Sequence, residues 1–161
     1  MIIRSLGDVI GGERDVDWGN GRSRRLLLAR DGMGYALTDT TVKAGSESRL
    51  HYKEHLEACY CVEGEGEVEV GGVVYPIRAG TVYALDRNEP HVLRARTDMR
   101  FICVFNPPLA GAERHDLSAE GFSSYASQPP AGEPPAAAPG ADPLDDIQLD
   151  DVGALEIKAF A

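Results

Sequence analysis

The chain is 161 residues long and 43% apolar, enough for one domain with its own core. It has neither an apolar run long enough for a membrane span nor a basic-then-apolar leader. A net charge of −10 argues against a nucleic-acid surface and reads most simply as solubility. Eight acids and one lysine after residue 117 supply −7 of that charge and leave about −3 on residues 1–117. Cys59, Cys61 and Cys103 form no disulfide framework, which suits a reducing compartment. No dinucleotide-binding or phosphate-binding glycine motif is present.

Taken in chain order, residues 1–6 form a short apolar start that suits an edge strand. Residues 7–21 are rich in Gly, Asp and Asn and read as a loop. Residues 22–30, RSRRLLLAR, run from a basic cluster into an apolar strand, and alternation points one of Arg24 and Arg25 inward. An inward arginine is a natural bidentate partner for a substrate carboxylate. Asp31-Gly32-Met33-Gly34 has hairpin-turn chemistry, β character continues over residues 35–41, and Gly45 turns the chain.

The densest stretch is residues 51–70, HYKEHLEACYCVEGEGEVEV. His51, His55 and Glu57 open it, residues 58–62 read as a buried strand, and Gly64 and Gly66 mark a turn. Glu65, Glu67 and Glu69 then alternate with Gly66, Val68 and Val70, the period of a half-buried strand. Gly71-Gly72 turns into a further strand, and another follows Gly80. Residues 86–90 form a loop that delivers His91. Residues 100–105, RFICVF, are strongly β-forming, with Phe101, Cys103 and Phe105 on one face. Glu113 and His115 lie two apart in a polar loop and can hold or relay a proton. Residues 128–143 contain six of the ten prolines and read as a linker, and residues 144–161 are an acidic tail.

The spacing of Gly45, His51, Lys53, Glu57 and Gly64, then of Gly72, Arg78, Gly80 and Tyr83, resembles the two-part pattern of the cupin superfamily. That resemblance implies an all-β fold: a single jelly-roll-like cupin β-barrel over residues 1–117. A flexible lid or linker and a Pro/Ala-rich acidic C-terminal tail would follow over residues 118–161. In that superfamily three His and one Glu hold a metal; here Lys53 and Tyr83 stand where two of the His are expected. Glu57 shares a strand face with Cys59 and Cys61, and a buried carboxylate is costly unless paired or on a metal. Glu57, Tyr83 and His91 together suit a hard-to-borderline cation such as ferrous iron. Spacing alone does not decide whether His51 or His55 joins them. Thr40 and Tyr52 are candidates to orient a polar ligand.

SRRLLL (23–28), GMG (32–34), DTT (39–41), HYKEHLEACYCVEGEGEVE (51–69), YALD (83–86), MRFICVFNPP (99–108) and the HD at 115–116 together resemble the ectoine synthase family. The resemblance implies a cytoplasmic, homodimeric, Fe(II)-dependent hydro-lyase. Its reaction is the cyclising dehydration of N-gamma-acetyl-L-2,4-diaminobutyrate to ectoine, a compatible solute of osmotic stress. Carried over by position, Glu57, Tyr83 and His91 would be the iron ligands, displacing His51. Arg25, Thr40, Tyr52, Cys103, Phe105, Glu113 and His115 would line the substrate pocket. Tyr52, Glu113 and His115 are the acid–base candidates, and Arg25 would hold the substrate carboxylate. The chain departs from the family in three places. Gly21 stands where a tryptophan usually precedes the Ser-Arg-Arg run, with Trp18 three residues earlier; the segment after Asp116 reads LSAEGFSS; and the Pro/Ala tail is atypical. The alternative function is a non-catalytic or differently specific cupin that binds a small amino-acid-like ligand; a related metal enzyme for another acylated diamine is a third.

Overall fold

The structure is a computed structural model that describes residues 1–85, 88–118 and 120–125. Among the described residues ten strands make two antiparallel sheets. β1 (Asp15–Asp17), β2 (Gly21–Leu27), β3 (Ala36–Val42), β5 (Leu56–Glu63), β8 (Val82–Leu85) and β10 (Met99–Asn106) form a six-stranded sheet in the order β1-β2-β3-β10-β5-β8. β4 (Glu47–Leu50), β6 (Glu65–Val70), β7 (Val73–Arg78) and β9 (His91–Ala95) form a four-stranded sheet in the order β4-β9-β6-β7. Among the described residues the only helical elements are 3-10 turns at Leu6–Asp8 and Ala29–Asp31, and no helix is long and apolar enough to cross a membrane. The all-β barrel expected from the glycine spacing is what the chain forms.

Alternation places the core. In β5, Glu57, Cys59 and Cys61 point inward while Leu56, Tyr60 and Val62 face out. In β10, Met99, Phe101, Cys103 and Phe105 point inward. They meet Val68, Leu93 and Ala95 of the other sheet in one hydrophobic cluster. Gly64 alone joins β5 of one sheet to β6 of the other. Its φ of +84 suits glycine, and a Cβ there would stand 2.1 Å from the carbonyl oxygen of Asp98. Pro76 sits in β7, an edge strand, where its missing N–H costs the ladder little.

Three sequence expectations change. Residues 15–17, inside the expected loop, form β1 and pair with β2. Residues 1–5 form no strand; Arg4 and Arg14 instead converge on Asp31, at 3.3 and 2.9 Å. The β2–β3 connection is longer than a tight hairpin, because the 3-10 turn at Ala29–Asp31 precedes Gly32, whose φ is +71. After Leu117 the chain runs back to the barrel. Ser123 bridges Leu50 in parallel, accepting from the His51 N–H and donating its own to the Arg49 carbonyl, each at 2.8 Å. The Pro/Ala-rich linker and acidic tail expected over residues 128–161 lie outside the described residues.

Candidate active site

One cross-strand row organises the interior of the six-stranded sheet. Arg25 of β2 lies opposite Thr38 of β3, Thr38 opposite Cys103 of β10, Cys103 opposite Cys59 of β5, and Cys59 opposite Tyr83 of β8. One row further on, Phe105 lies opposite Glu57. Period-2 alternation turns these side chains inward; Glu57, Cys59, Tyr83, Cys103 and Phe105 line one pocket, whereas Arg25, Thr38 and Glu113 lie buried behind its lining. The pocket is lined by Trp18, Thr40, Tyr52, Glu57, Cys59, Tyr83, Cys103, Phe105, His115 and Tyr125, with Ser23 and apolar neighbours.

Glu57, which lines the pocket, and His91 behind it face each other across the two sheets. His91 Nε2 and Glu57 Oε2 are 4.0 Å apart, and both atoms are buried without a hydrogen-bond partner. Burial pushes the Glu57 carboxyl up to about 8, the Cys59 thiol pulling slightly the other way. Burial likewise lowers the His91 imidazole to about 4. Both groups are therefore mainly neutral near pH 7, and neither satisfies the other. Tyr83 packs its ring 6.2 Å from that of His91, and burial raises its phenol further from ionisation. A cation between these groups would satisfy the orphaned oxygen and nitrogen and reverse the protonation of Glu57. The residues present fit a metal on that ground. The same Glu57 also lies within reach of two thiols: one ligand atom each of Glu57, Cys59 and Cys103 all fall within 4.8 Å of one another.

At the other end of the site most polar atoms have partners. Tyr52 Oη and His115 Nε2 are 2.9 Å apart, and His115 Nδ1 is 3.1 Å from Ser123 Oγ, which also accepts the Asp116 N–H. The His115 ring stacks on Tyr125 at 4.3 Å. Burial, then the positive groups His91 and Arg25, lower His115 to about 3, so it stands as a neutral imidazole at pH 7. Burial raises the Tyr52 phenol well above its ordinary value, the Glu57 charge adding to it.

Arg25 is completely buried, with its guanidinium carbon 6.0 Å from the centre of the Tyr125 ring. It donates from Nη1 to Glu113 Oε2 at 3.1 Å and from Nη2 to the Glu113 carbonyl, while its Nε is unpartnered. The Glu113 carboxylate also accepts the N–H groups of Ala110 and Gly111. Of the two arginines, alternation therefore takes Arg25 inward. Arg24, on the opposite face, pairs with Asp39 at 3.6 Å.

The remaining candidates separate clearly. His55 donates from Nδ1 to the Pro107 carbonyl at 2.7 Å and packs on Phe105, so it anchors a loop. Trp18 does reach the pocket: it is buried, donates from Nε1 to the Thr41 carbonyl at 3.1 Å, and stands edge-on to His115 at 6.0 Å. Gly21 has no room for a side chain, since a Cβ there would lie 1.9 Å from the Thr41 oxygen and 3.1 Å from Trp18 Nε1. Ser123 and Tyr125 were not foreseen. Their only sequence signal was a polar stretch ending in an aromatic. Cys59 was visible as a neighbour of Glu57 on one strand face, but its pairing with Cys103 depends on strand register.

The family model described as ectoine synthase matches residues 1–127. The L-ectoine synthase of Halalkalibacterium halodurans is 57% identical over 118 residues, 72% of this chain and 92% of its own. That of Desulfatibacillum aliphaticivorans is 52% identical over 120 residues, with coverage of 72% and 92%. A crystal structure of ectoine synthase from P. lautus, 47% identical, superimposes with a TM-score of 0.69 and covers 86% of this chain and 99% of that one. A cupin 2 conserved barrel domain protein from Salinispora arenicola shares the fold at 22% identity and a TM-score of 0.53, covering 65% of this chain and 87% of its own. By the match over residues 1–127 and by identity above one half to curated relatives, the chain belongs to the ectoine synthase family.

Proposed function

We propose that this protein is an L-ectoine synthase that closes N-gamma-acetyl-L-2,4-diaminobutyrate into ectoine with loss of water, using ferrous iron held by Glu57, Tyr83 and His91. The observation that carries this reading is the Glu57–His91 pair. In a chain of this family, Glu57 Oε2 and His91 Nε2 face each other at 4.0 Å, both buried and both without a hydrogen-bond partner, and Glu57 lines an aromatic pocket. When bound, iron supplies a Lewis acid for the acetamide carbonyl and stabilises Glu57 as the carboxylate.

The chain's own residues supply the rest. Trp18, Phe105 and Tyr125 wall the pocket and exclude water. They favour the folded substrate in which its amine lies against its own acetamide carbonyl, so the bond-forming step is intramolecular. Tyr52 and His115 carry the proton. The neutral His115 Nε2 accepts from Tyr52 Oη when Nδ1–H donates to Ser123, and Tyr52 Oη faces the pocket to exchange a proton with the amine or the departing oxygen. Glu113 holds Arg25 in place, and the free Arg25 Nε is the donor left for a substrate carboxylate. Thr40 and Cys103 complete the polar lining.

The protein works in the cytoplasm as a homodimer in this reading. Leu56, Tyr60, Val62 and Val82 leave the outer face of the six-stranded sheet apolar and exposed, which supports a subunit contact. The test is anaerobic incubation of the iron-loaded full chain with N-gamma-acetyl-L-2,4-diaminobutyrate, read by proton NMR, with Glu57→Ala alongside. Iron-dependent appearance of the cyclic product in the parent protein alone is expected. Iron bound without product would overturn the assignment and leave the reading of a small-ligand cupin.

A further inference from the structure

Glu57 is shared by two donor sets of different chemistry. With Tyr83 and His91 it makes an oxygen and nitrogen set. With Cys59 and Cys103 it makes a sulfur-rich one, whose ligand atoms lie within 4.8 Å of one another. The two thiols are direct cross-strand partners on β5 and β10, with Sγ atoms 3.2 Å apart, and both are free and buried. Strand pairing on both sides fixes them: β10 lies between β3 and β5, and β5 between β10 and β8. Glu57 Oε2, on a residue more than nine-tenths buried, lacks any partner. Ordinary core packing accounts for two small thiols in contact, but it leaves unexplained why a buried carboxyl group, one of whose oxygens has no partner, converges on them.

We infer that Glu57, Cys59 and Cys103 form a second cation site in the pocket, selective for thiophilic divalent ions such as zinc and cadmium. Soft thiolates favour these ions over harder ones, and two sulfurs with one carboxylate oxygen leave a fourth position open. Each thiol releases its proton to solvent as its sulfur binds the ion. Because Glu57 serves both sets, a thiophilic ion displaces iron. That competition rests on the proposed iron ligands, whereas the sulfur site itself does not.

The probe is cadmium, added to the reduced, metal-free full chain under anaerobic conditions. Cadmium-113 NMR and the ultraviolet sulfur-to-cadmium absorption report the sulfur ligands on the parent protein, without any variant. One cadmium ion per chain with two sulfur ligands is expected. Cys59→Ala and Cys103→Ala should each weaken binding at least about tenfold and halve the sulfur absorption, while Cys61→Ala leaves both unchanged. An oxygen-and-nitrogen-only cadmium shift in the parent overturns the site, as does sulfur absorption that persists in the Cys59→Ala/Cys103→Ala double variant. Tyr83→Phe separates the two readings. It should lose iron yet keep the sulfur absorption. Iron binding unchanged in Tyr83→Phe would overturn the iron set and leave the sulfur site standing.

Discussion

The two ends of this site differ in how their polar groups are satisfied. Around His115, Tyr52, Ser123 and the Arg25–Glu113 pair, most polar atoms have partners within the chain. At Glu57 and His91, an acid and a base face each other with Oε2 and Nε2 4.0 Å apart and neither of those two atoms hydrogen-bonded, although His91 Nδ1 reaches the Glu89 carbonyl at 3.5 Å. A network that the protein completes itself adds rigidity. An end left incomplete is a cost to folding that only something from outside can remove. The engaged end should therefore govern stability and the orphaned end function.

The strongest break of that contrast is Glu57→Gln. It should lower iron affinity and turnover by at least about 100-fold, measured by metal analysis and product NMR. Urea unfolding of the same variant, metal-free, should stay within about 1 kcal/mol of the parent, because Oε2 has no native partner to lose and the amide oxygen can still accept from the Cys59 thiol. A large loss of stability there would erase the distinction. Arg25→Met tests the opposite end. It strands the Glu113 carboxylate and should cost about 3–5 kcal/mol in urea unfolding, with part recovered in Arg25→Met/Glu113→Gln.

A smaller effect comes from pH. His115 titrates at about 3 in the folded protein, below its ordinary 6.5. Between those values the unfolded chain binds the extra proton, so this contribution is complete above pH 6.5 and is lost as pH falls toward 3. His115→Asn should flatten the fall in stability across that window. The flattening is partial, because His91, lowered to about 4, has the same sign. An unchanged slope would show that His115 is not held neutral by its surroundings. The smallest effect expected is that of Trp18→Phe. It keeps the wall but removes the bond to the Thr41 carbonyl, for a loss of about 1 kcal/mol in thermal or urea unfolding. A raised KM with kcat little changed would place Trp18 in substrate holding.

Much of the site could be read in advance because it lies on strands. Alternation put Glu57, Cys59 and Cys61 on one face, and Phe101, Cys103 and Phe105 on another, before any partner was known. It also required one of Arg24 and Arg25 to point inward, without saying which. Less could be read where the loops contribute. Trp18 reaches the pocket through the turn at residues 18–21, and Gly21 admits no side chain there. Ser123 and Tyr125 come from a segment whose composition suggested only a lid.

Local sequence was enough for the all-β class, the glycine turn at Gly64 and the shared faces of β5 and β10. These depend on a period of two and on backbone angles, which are local properties. It took the assembled sheets to show that Gly64 links one to the other, that Cys59 meets Cys103, that Arg25 is held by Glu113, and that His91 faces Glu57 from the other sheet. Those contacts join residues tens of positions apart. Their distances follow from strand register and from the packing of one sheet on the other, neither of which any local stretch of sequence contains.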